Sequence, residues 1–157
     1  MRTDDGVNVL VAPAREEDYE WCARLMASSE PWITLGRGLA DCRARCQHPE
    51  YLLLIARHGH QPAGFCLIHP RGLAGSPYIA SIAVDAAQRG HGIGTALLAY
   101  AERQFPATRY IFLCVSSFNA RARRLYERLG YAAIGELKDY DMDGASEILM
   151  AKRLARV

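Results

Sequence analysis

Between residues 89 and 95 the chain reads Arg-Gly-His-Gly-Ile-Gly-Thr, and here residue type and spacing most directly suggest chemistry. Glycines let the backbone approach a ligand closely. An apolar, strand-like run from Tyr78 to Val84 comes before them. A helical pattern follows, with Ile93, Ala96, Leu97 and Tyr100 at i, i+3, i+4 and i+7. At such a strand–helix junction the unpaired N–H groups of the first helical turn face outward with partial positive charge. That arrangement holds an anion, most often a phosphate or pyrophosphate. The alternative is a glycine-rich turn without a ligand, but three glycines in five residues are costly there unless something approaches them.

The type of phosphate ligand can be narrowed. A Walker A loop needs a lysine before its Ser or Thr, and none precedes Thr95, so ATP or GTP hydrolysis is not expected. A dinucleotide fingerprint fails in both registers, ending on Thr95 or on Leu97 instead of Gly or Ala. A second segment, Asn119 to Leu129, predicts a helix with Ala122, Leu125, Tyr126 and Leu129 on one face and Gly130 as terminator.

Together these residues resemble the GCN5-related N-acetyltransferase (GNAT) superfamily. Arg89, Gly92 and Gly94 match its motif [QR]xxGx[GA]. Asn119, Ala122, Leu125, Tyr126, Gly130 and Tyr131 are similar to its NxxAxxLYxxxG[FY] segment, one helix and one strand downstream. The resemblance covers most of the chain from Val7 to Leu154. It implies an acetyl-CoA-dependent N-acetyltransferase acting by direct transfer to a primary amine of a small molecule or peptide. The amides of Arg89, Gly90, His91, Gly92, Ile93, Gly94 and Thr95 would hold the coenzyme A pyrophosphate. The backbone of Ile82, Ala83 and Val84 would pair with the pantetheine arm like an added strand, and an amide near Ile82 would polarise the thioester carbonyl. Asn119 would bond the pantetheine or the strand end. Tyr126 would be the general acid for the departing thiolate; the alternative for an aromatic on an inner helix face is plain core, and its place in the second motif favours the acid.

One departure concerns the general base. The family often carries Glu where this chain has Tyr78, a poor base near neutral pH. Ser81 through a water, His69, Glu30 and Glu147 are the candidates, proton removal by a water chain or direct binding of the neutral amine are the alternatives, and the sequence does not choose among them. Trp32 and Thr34, in the loop Ser29 to Gly36, are expected to shape the amine pocket, with Trp32 exposed; Tyr78 and Ser81 join them as acceptor-side residues. Arg121, Arg123, Arg124 and Arg128 make a basic helix face, read either as a solvated stripe or as a contact to the 3′-phosphate by Arg121 or Arg124.

The five cysteines are odd in number and none forms CxxC. Cys114 reads as packing, not as a nucleophile. Cys42, Cys46 and His48 read as a helix with two buried thiols, not as zinc ligands, so no metal is expected. The start Met1-Arg2-Thr3-Asp4-Asp5 has no apolar segment of signal-peptide type, and a cytoplasmic location is the default expectation.

The elements that must position these residues read as β-α-α-β-β-β-α-β-α-β-β. The strands are Val7 to Val11, Tyr51 to Arg57, Gly64 to His69, Tyr78 to Val84, Tyr110 to Val115, Ala132 to Leu137 and Glu147 to Lys152. A turn spans His58 to Pro62, and a loop is expected over Pro70 to Gly75. This order reads as an α/β fold, a mixed sheet with helices on its faces; the resemblance implies the GNAT fold, a mixed central sheet of about seven strands flanked by about four helices, with splayed strands at the coenzyme cleft. A length of 157 residues fits one domain, 1–157, with a full two-layer core. A net charge of +2 is too small to argue for nucleic acid, and no apolar run is long enough for a bilayer. An edge strand near the C-terminus could pair across a homodimer. Two other function classes stay in view: a non-catalytic acyl-CoA-binding domain, suggested by Tyr78, and a DNA- or partner-binding module using the arginine face.

Overall fold

The fold was taken from a computed structural model, which describes residues 8–155. Val7 and the stretch Met1 to Asp5 lie outside the described residues. Strand β2 (Leu52–His58) shows why a single sheet forms here. Its apolar residues run consecutively because both faces are covered: Leu54 and Ala56 enter one core, Leu53 and Ile55 the other. Seven strands share one sheet. They are β1 (Val9–Pro13), β2, β3 (Gln61–Leu73), β4 (Ser76–Val84), β5 (Tyr110–Ser116), β6 (Ala132–Lys138) and β7 (Ser146–Arg153), in the order β1-β2-β3-β4-β5-β7-β6.

Two helices, α3 (Ile93–Arg103) and α4 (Ala120–Arg128), cover one face. Ile93, Ala96, Leu97 and Tyr126 join Leu54, Ile68, Ile111, Leu113 and Met150 in that core. The other face carries α1 (Tyr19–Ala27) and α2 (Leu39–Cys46), whose Cys22, Met26, Cys42 and Cys46 pack on Leu53, Phe65 and Leu67. Both thiols of α2 are therefore core residues. His48 is exposed and sets its ring 5.1 Å from Tyr51. Among the described residues no group of three or more His, Cys, Asp or Glu is arranged to hold a metal. No helix among them is long and apolar enough to cross a membrane.

The centre of the sheet is where the strands separate. β4 and β5 run parallel but pair only at Tyr78↔Phe112 and Ile79↔Leu113. A bulge lies just beyond: on β3, Leu67 faces Ser81 and the next residue, Ile68, faces Ile79, which leaves Ala80 without a partner there. From this point β4 turns away from β5 and continues to the glycine loop along β3 only. Its approach to β3 is close, because a Cβ built on Gly64 would sit 2.8 Å from the Ala83 carbonyl oxygen.

One expected loop is strand. Pro70 to Leu73 extends β3, which turns back into β4 over Ala74 (φ +50°) and Gly75 (φ +77°). Pro70 is tolerated because the register is irregular between His69 and Leu73, so no ladder N–H is required of it. At the far edge β6 is exposed along its whole length.

Candidate active site

The glycine loop is built by backbone conformation. Gly90 (φ +84°) and Gly92 (φ +74°) are left-handed, and Gly92 is the N-cap of α3. A Cβ on either would meet nothing within 4 Å, so conformation, not space, calls for glycine at both. Gly94 differs: it lies inside α3, and a Cβ there would come 3.1 Å from Leu125, so α3 and α4 meet closely. Asp85 holds the lead-in, a 3-10 turn at Ala86–Gln88, by accepting from Ala87 N at 3.3 Å.

A groove of about 700 Å³ runs over this loop. The edge of β4 from Ile82 to Val84 borders it, as do Arg89, Gly90, Gly92, Ile93, Gly94 and Thr95. On the α4 side it is bordered by Arg121, Arg124 and Arg128. Four arginines against one carboxylate, Glu30, make it a site for a polyanion. Two of the expected features divide. Arg123 is turned aside to pair with Glu127 at 2.7 Å. The His91 ring does not border the groove; it stacks 4.6 Å from His58 with its Nδ1 3.1 Å from the Gln88 carbonyl. His58 Nδ1 in turn lies 2.7 Å from Gln88 Oε1, so two imidazoles brace the loop at its base.

The groove continues into a cavity of about 760 Å³ on the opposite side of the β4–β5 separation. Asn119, Ala122, Tyr126 and Ile82 border both spaces and mark their junction. Asn119 is the N-cap of α4, with its side-chain oxygen accepting from Ala122 N at 3.4 Å. Tyr126 is 6% exposed, packed edge-on to Tyr131 at 6.1 Å. Burial pushes its phenol well above the ordinary range, so it is fully protonated at neutral pH.

In the cavity Tyr78 and Ser81 are brought together as expected. The Ser81 hydroxyl is buried without a hydrogen-bond partner among the described residues. Trp32 requires a correction. It is not exposed but 6% accessible, packed on Phe65 at 6.5 Å, and it still forms part of the cavity wall. Such an indole face supplies most by being buried on one side. Thr34 does not border the cavity. It acts on Glu30, donating to it from Oγ1 at 2.8 Å and from its backbone N–H at 3.2 Å. His69 is also outside, 3.7 Å from Glu50.

Cys114 is half-buried in the cavity wall, and burial raises its thiol pKa, so it is not a thiolate nucleophile at neutral pH. Glu147 and Ser116 also line the cavity, hydrogen-bonded to each other at 2.6 Å. Sequence reasoning did not find Arg37, Tyr140 and Asp141. They come from two loops far apart in the chain. As a whole the arrangement offers amides and arginines for a phosphate-bearing substrate, a strand edge for an extended arm, a protonated phenol at the junction, and a polar cavity for a second reactant.

Known proteins are similar to this chain in sequence and in fold. An uncharacterized N-acetyltransferase of Methanocaldococcus jannaschii is 43% identical over 82 residues, a match that takes in 50% of this chain and 53% of that protein. The chain thus spans about half the length of this relative. The structure of the ribosomal-protein-S18-alanine N-acetyltransferase of Escherichia coli superposes with a TM-score of 0.75 at 20% identity, over 96% of each chain. An aminoglycoside 6'-N-acetyltransferase complexed with coenzyme A gives 0.76 at 18% identity, over 94% of this chain and 98% of that one. These two establish the fold, and the model of the acetyltransferase (GNAT) family matches residues 14–131. With the glycine loop, the separated strands and the Asn119–Tyr126 helix in place, the chain belongs to the acetyltransferase (GNAT) family.

Proposed function

We propose that the protein is an acetyl-CoA-dependent N-acetyltransferase that moves an acetyl group directly to a primary amine of a small molecule or peptide. The observation that carries this reading is the continuity of the two spaces, with Tyr126 and Asn119 on the wall of both. The coenzyme lies in the groove. Its pyrophosphate is held by the amides from Arg89 to Thr95 at the start of α3, and its 3′-phosphate by Arg121 or Arg124. The pantetheine arm runs along the free edge of β4 at Ile82 and Val84, which have no strand on the β5 side. A protein of the same fold, the aminoglycoside 6'-N-acetyltransferase, is complexed with coenzyme A, which supports coenzyme A as the ligand.

The amine enters from the cavity beside Tyr78, Ser81 and Trp32. Its nitrogen attacks the thioester carbon, with an amide near Ile82 donating to the developing oxyanion. The departing thiolate is a weaker base than a buried phenolate, so Tyr126 gives up its proton only as one arrives from the amine. Holding both reactants at one junction supplies much of the rate. Two relatives of this fold are named for very different acceptors, an aminoglycoside and a ribosomal-protein alanine, so the acceptor is set by the cavity wall and not by the fold. Five free thiols suit a reducing compartment such as the cytoplasm, and the open edge of β6 is where a second copy would pair.

Calorimetric titration with acetyl-CoA, with ATP and NAD as parallel controls, tests the reading. Micromolar binding of acetyl-CoA alone is expected. A folded sample that binds none of the three overturns it.

A further inference from the structure

The strand register assigns the cavity its chemistry. Ser116 faces Glu147 and Cys114 faces Leu149 across β5 and β7, and Tyr78 faces Phe112 across β4 and β5. Side chains alternate along a strand, so Tyr78, Cys114, Ser116, Leu149 and Glu147 share one face. The other face is taken by Ile111, Leu113, Val115, Ile148 and Met150, which lie in the core under α3 and α4.

Three carboxylates border the cavity, and they are not equivalent. Asp141 is ion-paired with Arg37 at 3.0 Å. Glu30 has both oxygens engaged by Thr34. Glu147 has no ion pair among the described residues. Its Oε1 accepts from Ser116 Oγ at 2.6 Å, which fixes the carboxylate in the cavity wall, and Oε2 has no hydrogen bond among the described residues.

We propose that Glu147 is the general base of the acetyl transfer, receiving the acceptor's ammonium proton on Oε2 from β7, while Tyr78 fills the corresponding place on β4 without titrating. Ser116 is its positioning residue. The groups facing Glu147 are Tyr78 on β4, Cys114 and Ser116 on β5, Asp141 after β6, and Arg37 in the loop between α1 and α2. Burial first, then Asp141, raise the Glu147 pKa, against the lowering by Ser116 and Arg37; the net is a carboxylate more basic than usual. Tyr78 cannot serve, because burial and the neighbouring Cys114 thiol hold its phenol far above neutral pH.

The proton balance closes. One ammonium proton passes to Glu147 and then to water. The neutral nitrogen forms the C–N bond to the thioester carbon and becomes cationic. A second proton leaves the nitrogen as the C–S bond breaks, and the thiolate takes one from the Tyr126 hydroxyl, which that second proton restores. The products are the N-acetyl amine, coenzyme A thiol and one released proton.

This inference rests on the proposed acetyl transfer, and the experiment separates the two. Thiol release from acetyl-CoA would be measured from about pH 5.5 to 9 with spermidine, tobramycin and a peptide with N-terminal alanine, together with acetyl-CoA affinity. In the wild type kcat/KM is expected to rise with pH and level off once Glu147 is ionised. Glu147→Gln is expected to keep acetyl-CoA affinity within a few-fold and to lower kcat by at least ~100-fold. Its residual activity is expected to climb about tenfold per pH unit with the free-amine fraction, without the plateau. Ser116→Ala is expected to move the rising limb to higher pH, because the bond it removes favours the ionised carboxylate; a merely structural role would leave the limb in place. A Glu147→Gln enzyme with the wild-type profile overturns the base and leaves the transferase standing. Acetyl-CoA binding without turnover of any amine overturns both.

Discussion

Arg37 Nη2 meets Asp141 Oδ1 at 3.0 Å across 104 residues of sequence, and so ties the loop between α1 and α2 to the loop between β6 and β7 over the cavity. Both side chains are partly solvated, so such a pair contributes about 1 kcal/mol or less to stability. Its value lies in shaping the cavity wall. Arg37→Ala is therefore expected to change the acceptor KM several-fold, with acetyl-CoA affinity and melting temperature nearly unchanged. An acceptor KM equal to that of the wild type would show that the cavity is not where the amine binds.

Tyr126→Phe removes the phenol and keeps the ring against Tyr131. Acetyl-CoA binding is expected to stay within a few-fold while the rate falls at least ~10-fold. Unchanged turnover would return Tyr126 to the role of a core aromatic.

Two glycines separate binding from folding. At Gly92 there is space for a side chain but φ is +74°, and a β-branched residue there costs at least about 1–2 kcal/mol of backbone strain. Gly92→Val is expected to abolish acetyl-CoA binding in a protein that still melts cooperatively. At Gly64 the obstacle is the Ala83 carbonyl, 2.8 Å from the added carbon. Gly64→Ala is expected to destabilise the fold by about 1–3 kcal/mol, measured by denaturant unfolding. Wild-type coenzyme affinity in Gly92→Val would refute the loop as the phosphate site.

Charge reversal on α4 discriminates between its arginines. Arg121→Glu with Arg124→Glu is expected to weaken acetyl-CoA binding at least ~10-fold and to flatten its salt dependence. Arg123→Glu is expected to leave both nearly as they are, because that side chain faces Glu127. Equal losses from both variants would mean that only the net charge of the helix matters.

Glu147 also has a signature in stability. Its folded pKa is raised, so between the ordinary carboxylate value and the raised one the native state holds more protons than the unfolded chain. Stability therefore falls as pH rises through that window and stays reduced above it. Glu147→Gln keeps an acceptor for Ser116 and carries no charge. It is expected to melt above the wild type at pH 7, with the difference fading as pH falls below ~4. A variant that melts lower at pH 7 would mean that the carboxylate is stabilising and already has a partner.

Much of this was legible in local pattern. The spacing of Ile93, Ala96, Leu97 and Tyr100 gave α3 its inner face, and Gly90 and Gly92 marked the left-handed turn that leads into it. Pro70 misled because proline ordinarily ends a central strand; only the irregular pairing beside His69 explains its place. Trp32 misled because a loop position suggests solvent, whereas Phe65 and the face of β3 cover it. The distinct roles of Glu30 and Glu147 could not be read locally. Each depends on a neighbour supplied by folding: Thr34 one helical turn away for the first, and Ser116 on another strand, 31 residues distant, for the second.

Ala80 is the single residue by which β4 exceeds what β3 can pair. A strand shorter by that one alanine would set Ser81 directly after Ile79, opposite Leu67 and Ile68, and would regain continuous register with β3 while every remaining side chain kept its face. Tyr78 would stay opposite His69 and Ile79 opposite Ile68, but the strand would lose the bulge and with it the kink that carries it away from β5. Reactivity in this molecule is thus encoded partly as chain length. A one-codon deletion that keeps every other side chain is expected to turn an open reaction vessel into an ordinary closed sheet.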